Sequence, residues 1–573
     1  MTEQSTKVEA DRQLIREARQ QGLASTLGVY TRLSGPGWLQ GAITLGGGSL
    51  AGSLYLGVIA GYELLWLQPL MMILGVVMLS AIGYVTLSSQ ERPFDSINRH
   101  VNPVLGWGWA IATLMANLVW AMPQFSLGSA ALQQNLLPGL LVGNAGKYIA
   151  VAILFVASGI VIWFYDSGGW GIRLFEIVLK IMVGVVVISF FGVVVAMTFS
   201  DEGLAWGAIA AGFVPNPKLL FEPASRFSEI LPQTSAPDLW RELILNSQRD
   251  RMVTAAATAV GINMTFLLPY SMLKRGWDRE FRGLAIFDLS TGLFIPFFLA
   301  TSCVVIAAAS RFHGQYDLGL VGEGPRTEIT EKLSGSYEKN LAGVAKQMAI
   351  QEGHDSADRI AAIQSDVFNA NDRHIAAMLV SRDAFLLANS LEDLTGKTIA
   401  QTVFGIGVLG MAISTIIILM LINGFTVCEM LGLPSSGALH RIGCYLPGLT
   451  GAFGFLWLWG DDQARFWLAV PTSVFGMVLL PIAYVTFFLM MNNEKILGKD
   501  LPQGGRRAGL NLIMLIALTA ATIGAGWSIW GRTQTIPGTA IMVRWIGIAL
   551  VAVFVLLAVI VQVARSSRHG TEA

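Results

Sequence analysis

The sequence has few charged residues. Asp, Glu, Lys and Arg make up only 13% of its 573 residues, about half the share in soluble globular proteins. The formal net charge is zero, so no broad basic surface indicates a nucleic-acid partner. The only cysteines, Cys303, Cys428 and Cys444, form no CxxC or metal-type cluster, and we interpret them as small core residues.

Catalytic signatures are also missing. Neither long polar segment contains a GxSxG, HExxH or Walker-type motif. No nucleophile and base stand together in a recognisable constellation. The sequence therefore does not predict an enzyme, and it calls for no cofactor.

Long apolar runs dominate the chain instead. Hydrophobic residues make up 53% of it, and they recur in runs of about 20, which is the length that crosses a bilayer as a helix. The pattern predicts an all-α polytopic membrane protein whose surroundings are the lipid bilayer. About twelve spans fit this length rule, near residues 33–60, 63–88, 104–136, 147–165, 171–198, 252–275, 283–310, 396–430, 437–458, 464–491, 508–531 and 540–565.

The short connections between these spans differ in basic residues. If the N-terminus is inside, the inner connections and the tail hold most of the Lys and Arg, whereas the short outer connections hold only Lys147, Arg465, Arg532 and Arg544. This asymmetry predicts cytoplasmic N- and C-termini, and we expect the bacterial inner membrane as the location. The sequence does not indicate an oligomeric state.

Two long polar segments interrupt the apolar runs and divide the chain. Under this topology both lie outside, and we interpret them as solvated additions to the membrane-spanning part of the chain. The predicted organisation is a cytoplasmic leader (1–32), a first repeat of five spans (33–198), an extracellular loop (199–251), a second repeat of five spans (252–491) with an extracellular insertion (311–395), and two C-terminal spans with a tail (492–573).

Two spans carry residues that break helices. Span one contains Gly46, Gly47 and Gly48 in succession, followed by Ser49, and each glycine costs a helix interior roughly 1 kcal/mol relative to alanine. Span six reads AVGINMTFLLPYSMLKR, with Gly261 and Pro269 inside it. Interrupted helices at corresponding positions of two halves indicate an inverted-repeat transporter with a substrate site near the bilayer midplane.

Several motifs resemble the NRAMP divalent-metal transporters. That family typically has GPG, about eight residues, Asp-Pro-Gly-Asn, and later Gly-Tyr-x-Leu-Leu-Trp. This chain has GPG at 35–37, GGGS at 46–49 and GYELLW at 61–66. TVFGIGVLGMAISTI (402–416), NGFTVCEMLG (423–432) and EKILG (494–498) also resemble family segments. The resemblance implies a LeuT-type fold, with inverted repeats of spans 1–5 and 6–10, broken helices 1 and 6, and two extra C-terminal helices.

The residues that carry the family's chemistry differ in this chain. Gly46 stands where the family has its metal-binding aspartate, and Ser49 replaces the companion asparagine. The family's Met-Pro-His on helix six falls near residues 263–265, its acids on helix three fall at Asn117 and Trp120, and a glutamine on helix ten falls near Ser473. Apart from His440, the predicted spans contain no histidine.

These positions form the candidate site. The predicted substrate-binding residues are Gly46, Gly47, Gly48, Ser49, Asn263, Met264, Thr265 and Ser473. A metal ion, held directly or through water, would have Ser49, Asn263 and Thr265 as its ligands. The predicted pathway or gate residues are Asn117, Trp120, Tyr270, Glu429 and Arg441.

A site without acidic side chains raises the question of which groups compensate the charge of a divalent cation. The cation could keep most of its water, which suits Mg²⁺. Its charge could be balanced by Asp166, Glu63 or Glu176. Alternatively, the substrate is not a metal ion.

The sequence also assigns structural roles to several charged residues. We expect Asp166 to cap a helix end and Glu176 to pair with Arg173 and Lys180 on its own helix. Glu429 is an intramembrane acid. For it we expect pairing with Arg441 or a gating role.

Three functions remain open. The first is uncoupled, alternating-access transport of a largely hydrated Mg²⁺- or Mn²⁺-like cation, as the resemblance to the NRAMP-related magnesium transporters implies. The second is transport of a small organic solute, such as an amino acid or carboxylate, whose anionic group contacts the glycine loop. The third is a transporter-like sensor or receptor that uses the insertion at 311–395.

Overall fold

The computed structural model describes residues 3–166, 169–201, 203–354, 356–458, 478–533, 535, 539 and 541–571. Within these ranges the chain is helical, apart from one isolated bridge between Thr535 and Met542. The α-helices are α1 (Glu3–Gln21), α2 (Leu23–Leu33), α3 (Pro36–Thr44), α4 (Gly47–Ala60), α5 (Leu67–Ser89), α6 (Pro93–Ser96), α7 (Pro103–Ala130), α8 (Gly143–Asp166), α9 (Gly169–Thr198), α10 (Trp206–Gly212), α11 (Ser225–Ile230), α12 (Pro237–Ala257), α13 (Ile262–Lys274), α14 (Arg282–Asp288), α15 (Ile295–Phe312), α16 (Leu318–Val321), α17 (Glu328–Gln351), α18 (Ala357–Ala362), α19 (Ala370–Met378), α20 (Ala384–Thr395), α21 (Phe404–Met430), α22 (Ala438–Phe453), α23 (Leu480–Met491), α24 (Glu494–Leu497), α25 (Gly504–Trp530) and α26 (Val543–Thr571).

Short π and 3-10 turns extend or join these helices. The π-helical turns are Ile97–Val101, Ala131–Leu136, Leu289–Phe294, Ile363–Val367, Thr398–Val403 and Gly454–Leu458. The 3-10 turns are Pro217–Leu220, Leu231–Gln233, Arg279–Phe281 and Gly498–Asp500.

The apolar spans agree with an all-helical membrane protein. In the described part of the chain, nine helical segments are long and apolar enough to cross a membrane, and the bent pair α3–α4 makes ten. Of the two other predicted spans, 437–458 corresponds to α22 and the π turn after it, and only the second half of 464–491 is described, as α23. The sequence predicts about twelve spans. This number exceeds the ten found because these two segments are not among those long and apolar enough to count as spans.

Both predicted breaks are present. Helix α3 ends at Thr44 and α4 begins at Gly47, with a bend of 54° between them. Helix α12 ends at Ala257 and α13 begins at Ile262. Gly47 and Gly48 are helical, so only Gly46 of the three glycines lies in the first break. Pro269 lies inside α13 and does not break it.

The helix before the second break begins earlier than the sequence indicates. Helix α12 begins at Pro237, inside the segment 199–251 that the sequence analysis treats as a loop. The polar, mixed-charge composition of its first turns hides them from a hydropathy rule. The insertion 311–395 is mainly helical and contains α16 to α20.

Helix α3, the first half of the first broken helix, is held in place by an acidic side chain and by close contacts of small residues. The Asp288 carboxylate accepts hydrogen bonds from the N–H groups of Gly35 and Gly37, at 3.1 and 2.7 Å. A carboxylate at this position satisfies donors that have no partner within a helix. Gly37 and Gly41 also let the α3 backbone lie directly against residues 288–292, a spacing typical of close helix contacts in membranes.

Helices α1 and α2 precede this half-helix and contact the connection that follows α13. Arg12 pairs with Asp278 at 2.7 Å, and Arg16 Nε donates to Glu280 Oε2 at 2.8 Å. The main-chain carbonyl of Glu280 accepts from Arg19 at 2.8 Å. We call the end of the bundle at which α1 and α2 lie the N-terminal face.

Glu176 does not form the expected ion pair on its own helix. It pairs with Arg275, which also donates to the Leu33 carbonyl at 3.2 Å. Lys180 donates instead to the Ser34 carbonyl at 2.9 Å. The expectation from helical spacing was wrong because α2 and α13 approach α9 at the N-terminal face and offer nearer partners.

The close approach of α3 predicts the effect of a single methyl group. In Gly41→Ala, the new Cβ would lie 2.2 Å from the Gly292 carbonyl oxygen, so we expect a loss of stability of about 1–3 kcal/mol. The measurement is the apparent melting temperature of the purified protein in detergent. Gly184→Ala in α9 is the matched control, because nothing lies within 4 Å of its added Cβ. Equal melting temperatures for the two variants would contradict the contact.

Candidate functional site

Hydroxyl groups cap the end of α3 at the first break. Ser414 donates to the Ala42 carbonyl at 2.9 Å, and Thr415 to the Ile43 carbonyl at 3.4 Å. The Ser49 hydroxyl donates to the Thr44 carbonyl. The carbonyls that a helix end leaves without partners are therefore satisfied here by side chains, and Ser49 uses its hydrogen for this bond.

The start of α4 at the same break has no capping side chain of its own. Its N-cap residue is Gly46, and the Gly47 N–H donates to Gln124 Oε1 at 2.9 Å. Neighbouring side chains lie close to the backbone at the start of α4. An added Cβ on Gly46 would lie 2.4 Å from Thr415 Oγ1. An added Cβ on Gly47 would lie 2.9 Å from Leu127 Cδ2. Close packing thus favours glycine at both positions.

The second break brings the predicted residues of span six to span three. Gly261 is the N-cap residue of α13. Asn263 accepts from the Met264 N–H at 2.9 Å and donates to Asn117 Oδ1 at 3.2 Å. Thr265 accepts from the Trp109 indole N–H at 2.9 Å. All four of these side chains are buried.

Met264 connects the two breaks. Its thioether sulfur accepts from the Thr44 hydroxyl at 3.1 Å and from the Gly261 N–H at 3.4 Å. The Gln40 side chain donates to the Met264 carbonyl at 3.0 Å. Two donors therefore hold the only thioether among the predicted site residues, and a third holds the main-chain carbonyl of the same residue.

One face of α7 lines both breaks with polar or aromatic groups. Asn117 contacts Asn263, Gln124 contacts Gly47, and the Trp120 ring packs on Gly261, where an added Cβ would lie 3.0 Å from Trp120 Cζ3. Asn117 and Trp120 thus both lie at the second break. Two buried side chains here keep an unused polar atom, because Asn117 Nδ2 and Thr113 Oγ1 have no hydrogen-bond partner.

The described residues provide no acid at either break. Glu63 accepts from the Ser225 N–H at 2.9 Å, beyond the far end of α4. Glu176 and Asp288 lie at the N-terminal face in the contacts given above. Among the described residues, no three His, Cys, Asp or Glu side chains form a group that could hold a metal ion. The Asp166 side chain and Ser473 lie outside the described residues.

Glu429 does not pair with Arg441. It forms an ion pair with Arg92 and accepts a hydrogen bond from the Tyr270 hydroxyl at 3.0 Å. The Tyr270 oxygen in turn accepts from the Phe94 N–H at 3.1 Å. Arg441 instead stacks on the Trp163 ring, 4.3 Å from its centroid. Pairing with Arg441 was wrong because the connection after α5 brings Arg92 to the end of α21.

This cluster is separate from the breaks. Tyr270 is eight residues beyond the start of α13, which is about 12 Å along a helix. Between them, the Phe266 ring stacks on Tyr270 with ring centroids 4.6 Å apart. Tyr270 and Glu429 therefore lie toward the N-terminal face, away from the second break, and their predicted pathway or gate role stays a prediction.

Sequence reasoning missed the residues that complete the breaks from other spans, namely Gln40, Thr44, Trp109, Gln124, Ser414 and Thr415. One signal could have found Gln124. It follows Thr113 and Asn117 at spacings of eleven and seven residues, which places all three on one face of a helix. Polar side chains repeated along one face of an apolar span are typical of a face turned to a polar interior.

Comparison with known proteins identifies the fold. The family model described as natural resistance-associated macrophage protein-like, Nramp, matches residues 37–323 and 365–531. No curated protein matches significantly.

The chain is similar to a crystal structure of the Eremococcus coleocola manganese transporter in complex with an aromatic bis-isothiourea substituted compound, with 14% identity, 94% of each chain covered and a TM-score of 0.62. A histidine-to-alanine variant of the same transporter matches with 14% identity, a TM-score of 0.54, and 94% of this chain and 95% of that one covered.

These similarities agree with the broken helices, the apolar spans and the sequence motifs. Nramp transporters have the LeuT fold, whose two interrupted helices correspond to α3–α4 and α12–α13. The family consists of membrane transporters and not of enzymes. This chain is a multi-pass membrane protein that belongs to the Nramp family.

Proposed function

We propose that this protein transports a divalent cation that keeps most of its hydration water. The observation that carries this proposal is the neutral site, because the described groups at both breaks are hydroxyls, carboxamides and main-chain groups. Its structural relatives are named as manganese transporters, which favours a divalent cation as the cargo.

The type of cation follows from the cost of dehydration. Stripping water from a divalent ion without an anionic ligand is very unfavourable. Mg²⁺ loses its water reluctantly and usually keeps several water molecules when bound. Carboxamide and hydroxyl groups such as those of Asn117, Asn263 and Ser49 can accept hydrogen bonds from that water. A soft transition metal gains little here because Thr44 and Gly261 already donate to the Met264 sulfur.

Transport is proposed to proceed without coupled protons. Asn117 and Trp120 stand where the resemblance places the family's acids, and neither titrates near neutral pH. The two breaks would act as hinges for alternating access. The proposed orientation places the N-terminal face and both termini in the cytoplasm, at the bacterial inner membrane, because the short connections on that side hold most of the Lys and Arg.

A second candidate, a small organic solute with an anionic group, is favoured by one observation. The carbonyls at the end of α3 are capped by hydroxyls, whereas α4 and α13 begin with glycine N-caps that have no side-chain acceptor. Helix starts of this kind attract negative charge.

The first prediction concerns the driving force. Purified protein in liposomes should take up Mg²⁺ or Mn²⁺ in a saturable manner, at the same rate with and without an imposed proton gradient. Trapped fluorescent indicators for the cation and for pH measure both quantities in one experiment. Uptake that accelerates with an inward proton gradient would contradict the proposal, and protein-free liposomes give the background.

The second prediction restores an acid at the first break. Gly46→Asp needs space, because Thr415 Oγ1 lies 2.4 Å from the position of the added Cβ. We therefore combine it with Thr415→Ala. The double variant should bind Mn²⁺ at least about 10-fold more tightly, since a carboxylate now compensates the charge. Calorimetric titration against Thr415→Ala alone measures the effect, and equal affinities would show that position 46 does not face the cation.

A further inference from the structure

The two breaks present hydrogen-bond donors to the same region. Helices α4 and α13 both begin there, at Gly47 and Ile262, and the N-terminal end of a helix carries partial positive charge and N–H groups without intrahelical acceptors. Met264 connects the breaks through its contacts with Thr44 and Gln40, so the two helix starts belong to one site. Such ends bind carboxylates and phosphates.

An independent observation also points to a ligand with acceptor atoms. Asn117 is completely buried, and its Nδ2 has no hydrogen-bond partner among the described residues. Its Oδ1 is 3.2 Å from Asn263 Nδ2, which places the whole carboxamide at the first turn of α13. Leaving a buried donor unpaired is unfavourable, so this group calls for an acceptor that the described residues do not supply.

The same site also has acceptors that suit a cation. Gln40 is completely buried, and its Oε1 has no partner in the described chain. Its Nε2 is bonded to the Met264 carbonyl, so this free oxygen lies beside the second break. Acceptors for a cation and donors for an anion therefore meet at one place.

We propose that the substrate is a divalent cation already chelated by a small carboxylate. The substrate then brings the anionic ligands that the chain lacks, and the charge of the cation is compensated before it leaves water. The carboxylate oxygens would accept from Asn117 Nδ2 and from N–H groups in the first turns of α4 and α13 other than those of Gly47 and Met264, which already donate to side chains. Water on the metal would donate to Gln40 Oε1. This inference rests on the proposed function, because it keeps the divalent cation as cargo.

The test is simultaneous uptake of metal and carboxylate by the full chain in liposomes. The probes are ⁵⁴Mn²⁺ and ¹⁴C-citrate, with the free Mn²⁺ concentration held constant while citrate is added. We expect Mn²⁺ uptake to rise at least tenfold with citrate, and labelled citrate to enter in a 1:1 ratio with Mn²⁺ and only in its presence.

The other outcomes separate the two proposals. Uptake that follows free Mn²⁺ and ignores citrate would overturn the chelate and leave the cation transporter intact. Citrate uptake that needs no Mn²⁺ would overturn both and favour the organic solute. Uptake of neither by protein that retains its helical content would also overturn both.

A variant tests the role of the unpaired carboxamide. Asn117→Asp keeps the size of the side chain but replaces the donor with a negative charge, so chelate uptake should fall at least tenfold while uptake of free Mn²⁺ rises above that of the wild type. Asn135→Asp is the matched control, since Asn135 lies on the same span at its far end and bonds to Gln401 at 2.6 Å. An equal loss in both variants would assign the effect to stability and remove Asn117 from the site.

Discussion

The structure depends on satisfying broken backbone inside a bilayer. No water in the hydrocarbon core can replace the bonds that a helix loses at a break. At the first break, Ser414 and Thr415 of α21 and Ser49 of α4 cap the carbonyls of α3, while Gln124 of α7 accepts from Gly47. The break therefore fixes the positions of the neighbouring spans that complete it. The polar residues of the site stabilise the broken backbone even when no ligand is bound.

Charge is kept at the end of the bundle and away from its centre. Arg92 with Glu429, Arg275 with Glu176, and Asp288 at the start of α3 all lie toward the N-terminal face. In the two ion pairs at least one partner reaches solvent, whereas Asp288 is buried. Buried pairs of this kind cost much when one partner is lost, so they set how the spans meet. At the two breaks the described residues offer only neutral groups, so under the proposed function the charge of a cation there is compensated by water or by the substrate.

The sequence predicted both breaks and the residues at them because those signals are local. Glycine weakens a helix wherever it stands, so Gly46 and Gly261 marked the breaks without knowledge of their neighbours. Contacts between distant segments could not be predicted in this way. The Ser414 hydroxyl caps a carbonyl 372 residues earlier in the chain, and Glu429 meets Arg92 only because two connections converge at one face. Spacing along one helix gave the wrong partner for Glu176 for the same reason.

Met264 shows how one residue type can change its role within a fold. A thioether at this position is a soft group that would favour transition metals, yet here its sulfur accepts from Thr44 on α3 and from Gly261 at the second break. Both half-helices must therefore move together, or the sulfur must release a donor, before α3 can separate from α13. The same contact links the breaks mechanically and occupies the ligand that would select a soft metal. Under the proposed function, a glycine at position 46 and the engagement of this sulfur both favour a cargo whose own shell supplies its ligands.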